Sequence, residues 1–297
     1  MKRQLMPLVL VCVLMVLFFT ITSCSVLKDN QISVDSPAIE TVTTDSDKSH
    51  LTERSNVDMK DMMKSYTPTK SSDSNASSLT KQSFTAKDGS TLNYWLYIPA
   101  NAVDEMPIVI YLHGGSGKGD DLDLLMRNDG FPKYLQEGLL GEVQAYIVIP
   151  QVPTAKKGWM DVKNAVRDLV YDCCNTYGTD INRVSLTGHS MGGTGTWSLA
   201  LAFPTLFSCV VPLSGSIATN DTNITALSNM GIRAFVGSAD KIVPPDSSTQ
   251  FITALSKCNT NAQITVFEGA DHFSIPGLVY LDKGIDVLHW MISQAKR

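Results

Sequence analysis

Ser190 stands in Gly188-His189-Ser190-Met191-Gly192-Gly193, directly after the apolar run Val184-Ser185-Leu186-Thr187 and ahead of a helix-like stretch ending near Phe203-Pro204. Small residues on both sides of a serine, between strand and helix, fit a turn sharp enough to lift the hydroxyl above the sheet edge. The helix N-terminus beneath favours negative charge that develops there. The pentapeptide alone is a weak signal; its strand-turn-helix setting is the strong one. The plain alternative is a Gly-rich connection with an idle serine.

A serine hydroxyl is a poor nucleophile until a base takes its proton. Five histidines are available. His50 falls in a Ser/Thr-rich stretch, His113 ends a buried strand, His189 points away from its neighbour's hydroxyl, and His289 lies inside the helical stretch Asp282 to Ala295. His272 remains, in the loop Gly269-Ala270-Asp271-His272-Phe273 after the run ending at Phe267. A carboxylate should orient it from another strand end between nucleophile and base. Asp240 fits, closing Ala234-Phe235-Val236-Gly237-Ser238-Ala239-Asp240; Asp246 is a weaker candidate, and Asp271 suits organisation of its own loop.

A tetrahedral oxyanion needs donors already in place. Leu112-His113-Gly114-Gly115-Ser116-Gly117 offers backbone N–H groups with no side chain in the way. Gly115, with Gly114 as the alternative, is the expected first donor, and Met191, after the nucleophile, the second. His189 and Trp159 are candidate substrate contacts, and Trp159 serves equally well as packing.

The elements that must hold these groups follow from hydrophobic periodicity. Gln82 to Lys87 and Thr91 to Ile98 flank Asp88-Gly89, a hairpin signal. The short apolar runs Pro107 to Leu112, Ala145 to Ile149, Val184 to Thr187, Cys209 to Leu213, Ile232 to Val236 and Ile264 to Phe267 suit strands buried on both faces. Asp161 to Tyr177 sets Val162, Val166, Leu169, Val170, Cys173, Cys174 and Tyr177 on one helical face and stops at Gly178. Alternation of strand and helix over residues 81–297 implies one α/β domain with a mostly parallel sheet.

Composition narrows the functions open to it. The 297 residues are 43% hydrophobic and 18% charged, with a net charge of -5 and no basic stripe, which argues against a nucleic-acid partner. Neither G-x-G-x-x-G nor a P-loop pattern occurs in the Gly-rich loop. Asp120, Asp121 and Asp123 read as helix capping rather than a calcium site, and the Cys/His spacing suggests no zinc. No metal or organic cofactor is implied. Cys173, Cys174, Cys209 and Cys258 are too few for a disulfide framework, although an oxidising compartment would permit a Cys209–Cys258 bridge.

At the N-terminus, Lys2 and Arg3 precede an apolar run from Leu5 to Phe19 and then Ile21-Thr22-Ser23-Cys24, the layout of an export signal over residues 1–23. Residues 24–80 read as a flexible tether: eight of the fifteen from Tyr66 to Thr80 are Ser or Thr, too polar to offset the entropy of ordering.

Taken together these segments resemble the α/β-hydrolase superfamily, and within it secreted esterases and predicted peptidases near the phospholipase/carboxylesterase and feruloyl-esterase-like enzymes. The stretches that carry the likeness are Pro107-Ile108-Val109-Ile110-Tyr111-Leu112-His113-Gly114-Gly115, Gly119-Asp120-Asp121, Pro150-Gln151, Trp159, Tyr177-Gly178-Thr179-Asp180-Ile181-Asn182-Arg183-Val184, Gly188 to Gly193, and Pro212-Leu213-Ser214-Gly215. The resemblance spans residues 81–297. It implies a central sheet with helices on both faces, a triad of Ser190, Asp240 and His272, oxyanion donors at Gly115 and Met191, and cleavage of carboxylic esters through an acyl-enzyme. Relatives of this kind act on acetyl, feruloyl or short acyl groups, some of them on polysaccharides, and sometimes on peptides. The end of the leader resembles the lipobox of bacterial lipoproteins, which implies acylation of Cys24, a membrane anchor and a cell-surface location. About fifteen residues separate Ser216 from Ile232, too few for a bulky lid. Two other functions fit the same sequence: a peptidase on the same triad, and a non-catalytic carbohydrate-binding lipoprotein using exposed Trp95 and Trp159.

Overall fold

The computed structural model describes residues 76–128 and 130–296. The leader, Cys24, His50 and the tether through residue 75 lie outside the described residues. The strands are β1 (Ser78–Thr85), β2 (Thr91–Ile98), β3 (Ile108–Leu112), β4 (Tyr146–Pro150), β5 (Val184–His189), β6 (Cys209–Leu213), β7 (Gly231–Gly237) and β8 (Ala262–Phe267). They form one sheet in the order β1-β2-β4-β3-β5-β6-β7-β8. The β1–β2 and β2–β4 pairs are antiparallel and the others parallel. Asp88-Gly89 forms the expected turn between β1 and β2, with Gly89 at φ +81.

Two expectations change at the edges of this sheet. β1 starts at Ser78, three residues inside the stretch read as tether, and pairs with β2 from Ser78 opposite Ile98 to Thr85 opposite Thr91. Its residues are mostly exposed and polar, so a hydrophobic pattern does not reveal it. β8, expected to be covered on both faces, is the other edge strand, and its Val266 is exposed.

The helices are α1 (Asp123–Asn128), α2 (Gly130–Gln136), α3 (Lys163–Tyr177), α4 (Met191–Ala202), α5 (Asp221–Ala226), α6 (Asp246–Leu255), α7 (Ile275–Tyr280) and α8 (Val287–Ser293). A 3-10 turn over Trp159–Val162 takes the place of the expected first turn of α3, and Gly178 ends that helix at φ +63. α8 is shorter than the stretch Asp282 to Ala295, because the Asp282 carboxylate accepts from the Gly284 and Ile285 N–H groups and holds a turn there.

Alternation along the strands divides the interior into two cores. Ile108, Ile110 and Leu112 of β3 join the apolar face of α3 with Trp197 of α4 and Phe251 of α6, whereas Val109 and Tyr111 join Phe131 of α2, Val279 of α7 and Met291 of α8. All five β3 residues are buried, which is why the strand reads as an unbroken apolar run. From β3 the chain moves outward to β4 and then returns to β5 on the other side of β3. The order therefore reverses between β3 and β5, and a crevice opens at their C-terminal ends. Among the described residues no helix is long and apolar enough to cross a membrane.

Candidate active site

Both halves of the site leave the sheet at that reversal. After β5, Ser190 takes φ +61 and ψ -119 and becomes the N-cap of α4, a turn that few L-residues adopt without a local demand. The flanking glycines are required by close approach: a Cβ at Gly192 would lie 1.8 Å from the Leu112 carbonyl oxygen, and one at Gly188 would lie 2.5 Å from it. The serine and Met191 are partly exposed, between the buried His189 and Gly192.

His272, in the loop after β8, brings Nε2 to 2.8 Å from Ser190 Oγ and Nδ1 to 2.7 Å from Asp240 Oδ2. The other Asp240 oxygen accepts from the Ile242 and Val243 N–H groups, both at 2.9 Å. Burial alone would raise the Asp240 pKa, but the His272 bond and those two N–H groups outweigh it and hold the acid below its ordinary 3.8. An ionised Asp240 accepts only, so His272 Nδ1 carries the hydrogen and Nε2 presents a lone pair to the Ser190 hydroxyl. That is the protonation state a general base needs.

The other carboxylates stand elsewhere. Asp246 is exposed in the first turn of α6. Asp271 accepts from the Ser274 N–H and hydroxyl and so organises its own loop, as expected. His289 is on the surface beside Asp286. Asp121 accepts from the Asp123 N–H at the start of α1 and pairs with Arg127, whereas Asp120 accepts from the Thr154 N–H of another loop and Asp123 pairs with Lys81, so the capping expectation holds for Asp121 alone. Cys173, Cys174, Cys209 and Cys258 are free thiols, so the Cys209–Cys258 bridge is absent; Cys209 is buried and Cys258 exposed.

Gly114, Gly115 and Ser116 line the same cleft as Ser190, a space of about 290 Å³ walled also by Tyr134, Ile242, Phe273 and Pro276. A 3-10 turn over Gly115–Gly117 gives the loop its shape. Neither the Gly115 N–H nor the Met191 N–H, at the first position of α4, has an acceptor among the described residues. A larger hollow of about 470 Å³, lined by Arg233 and Trp290, lies at the opposite ends of β6 and β7. Residues 216–230 hold only the short α5 and contribute nothing to the walls around Ser190.

Trp159 does not reach the cleft. It is 2% exposed, with its ring against Gly195 of α4 and its Nε1–H donated to the His113 carbonyl at 3.2 Å, so the substrate-contact role gives way to packing. Trp95, read above as an exposed aromatic, is also buried and donates to the Leu122 carbonyl. His189 does border the cleft, but its Nε2 is engaged at 2.8 Å with the backbone carbonyl of His272.

Two groups that sequence reasoning passed over brace the Gly-rich loop. His113 donates from Nδ1 to the Gly114 carbonyl at 2.6 Å and accepts at Nε2 from the Val152 N–H at 2.9 Å. Gln151 donates to the Gly117 and Asp121 carbonyls. A polar residue at the end of each of two adjacent buried strands was the available signal.

Burial holds both His113 and His189 at a pKa of about 4, against an ordinary 6.5; for His189 the nearby His272 adds to the effect. The unfolded chain therefore takes up two protons below about pH 6.5 that the folded chain refuses until about pH 4. The contribution of these two histidines is complete above pH 6.5 and is lost as pH drops toward 4, by about 3 kcal/mol per histidine. Urea midpoints at pH 7 and pH 4.5 measure this; equal midpoints would contradict it. Asp240, lowered from 3.8, adds its own loss only below that window.

Residues 151–275 match the family model described as Dienelactone hydrolase family. No curated protein matches the chain. Among solved structures, a thermostable esterase is 23% identical at a TM-score of 0.62; the match covers 73% of this chain and 63% of that one. A feruloyl esterase module from Clostridium thermocellum, complexed with sinapinate, is 18% identical at 0.55, covering 78% of this chain and 95% of that one. FphF, a fluorophosphonate-binding serine hydrolase of Staphylococcus aureus, is 18% identical at 0.54, covering 74% and 100%. Strand order, elbow and these likenesses agree: the chain has an α/β-hydrolase fold, and its residues 151–275 match the dienelactone hydrolase family model.

Proposed function

We propose that this protein is a serine hydrolase of carboxylic esters, with Ser190 as nucleophile, His272 as base and Asp240 as its orienting acid. One observation carries the reading: the unbroken hydrogen-bonded chain from Asp240 through His272 to a partly exposed Ser190, at the mouth of a cleft. Ser190 Oγ bonds to the ester carbonyl carbon while its proton passes to His272 Nε2. Asp240 stabilises the imidazolium so formed. The Gly115 and Met191 N–H groups receive the oxyanion, each worth about 3 kcal/mol in the transition state. The tetrahedral species collapses with cleavage of the C–O bond to the alcohol, which leaves with the proton from His272. Water, deprotonated by His272, then releases the acid from Ser190.

The substrate reading is a short acyl ester or an acetyl or feruloyl group on a polysaccharide. Exposed apolar side chains of Ile242 and Phe273 border the nucleophile, and among the described residues no cap over the cleft restricts a bulky alcohol. The feruloyl esterase module that shares this fold supports the aromatic end of that range. The charged and apolar pattern of residues 1–24 supports placing the domain outside the cytoplasm on a lipid anchor at Cys24.

The test is chemical. The full chain is treated with a fluorophosphonate probe and the adduct mapped by peptide mass spectrometry, alongside turnover of p-nitrophenyl acetate and a matched p-nitroanilide. A single adduct on Ser190 and faster ester cleavage are expected. Ester turnover with the adduct elsewhere overturns the nucleophile, and a faster anilide moves the reading to a peptidase.

A further inference from the structure

His189 lies in the cleft but has no part in the bond-making steps above. Its Nε2 is 2.8 Å from the backbone carbonyl oxygen of His272, and the two imidazole rings lie 4.6 Å apart at 42°. A carbonyl can only accept, so Nε2 carries the hydrogen and the ring is a neutral donor. His189 is the last residue of β5, held on both sides by β3 and β6, and is 8% exposed. The start of the loop is tied to the end of β7 by the Ala239 N–H donating to the Ala270 carbonyl and the Gly269 N–H donating to Ser238 Oγ, while at His272 the main-chain carbonyl is held by His189. Beyond the buried His272, Phe273 is 75% exposed, and the next buried apolar residue is Ile275.

We infer that His189 is a positioning residue: by holding the His272 carbonyl it ties the main chain of the base to the strand end that carries the nucleophile. Ser190 and His272 come from elements 82 residues apart, yet this bond makes their backbones neighbours through a single side chain. The side chain of His272 can then turn between Ser190 and a leaving alcohol while its main chain stays in register. Burial keeps His189 uncharged, so it does not oppose the imidazolium that His272 becomes. The inference rests on the serine-hydrolase reading.

The experiment compares wild type with His189→Phe, which keeps a ring and removes the donor, and His189→Gln, whose amide can reach the same carbonyl. Three readouts are taken on each: p-nitrophenyl acetate kinetics, the rate of fluorophosphonate labelling, and the downfield proton resonance of His272 Nδ1 bonded to Asp240. Phenylalanine is expected to lower kcat by about tenfold or more with KM nearly unchanged. Labelling slows by the same factor, the resonance broadens, and glutamine restores most of each. A raised KM with unchanged kcat would make His189 a substrate contact and overturn the inference, as would unaltered labelling in His189→Phe or no recovery with glutamine. If the phenylalanine variant does not fold, His189→Met against His189→Gln decides, since the two side chains match in length and differ in the donor. Wild type that turns over ester without labelling at Ser190 sinks the hydrolase reading itself, an outcome distinct from any of these.

Discussion

Asp240→Asn is expected to lower kcat for p-nitrophenyl acetate about 10⁴-fold while leaving the fold intact. The reason lies in how the carboxylate is held. One oxygen accepts from the Ile242 and Val243 N–H groups, and the other accepts from His272 Nδ1. An asparagine seated with its oxygen on the two N–H groups must turn its NH₂ toward Nδ1. A donor there forces His272 into the tautomer protonated at Nε2, which cannot take the Ser190 proton. The pair of N–H groups prevents the amide from flipping to escape this. Steady-state kinetics with a parallel thermal melt measures the effect; a fall of less than about tenfold at unchanged stability would mean that Asp240 is not the orienting acid.

Gly192→Ala is expected to cost about 4 kcal/mol or more, or to prevent folding. The new methyl would sit 1.8 Å from the Leu112 oxygen, 2.6 Å from its carbon and 2.8 Å from the His113 oxygen, all of them backbone. None of these can swing aside. Leu112 is paired to Gly188 in the centre of the sheet, and His113 anchors the Gly-rich loop. Relief requires α4 to lift from the sheet with Ser190 and Met191 on its first turn, so whatever folds also loses its geometry for chemistry. Gly115→Ala is the stability control, because a Cβ there meets nothing within 4 Å. Circular-dichroism melts decide, with a drop of about 10 °C or more expected at position 192; a melting point close to wild type would show that the helix has room to move.

The Ser190 turn could be read in advance because a backbone demand of this severity selects residue types: no side chain fits at 188 or 192. β3, β4 and β6 were legible for a related reason, since burial at every position selects apolar side chains. β1 was not, because a polar edge strand differs from a loop only in the partner it pairs with. Trp159 was ambiguous for a tertiary reason. Lining a cleft and filling a core both call for an aromatic, and what decides is the missing side chain of Gly195, where a Cβ would lie 2.5 Å from the indole. The bracing by His113 and Gln151 reaches backbone atoms 39 and 34 positions away. Any residue has a carbonyl and nearly any has an N–H, so those partners leave no mark in the sequence.

The Gly-rich loop that lines the cleft is sewn to the tail of β4 by His113 and Gln151, with buried side chains on both stitches. Such a loop acquires its working shape when the chain folds, not when an ester arrives, and so responds equally to every acyl group presented to it. On the proposed function, discrimination between esters falls to the exposed apolar walls Ile242 and Phe273. On that reading reactivity and taste are separable at Ile242, whose exchange would redirect what is hydrolysed, whereas Phe273 also packs edge-on against the His272 ring and couples the two.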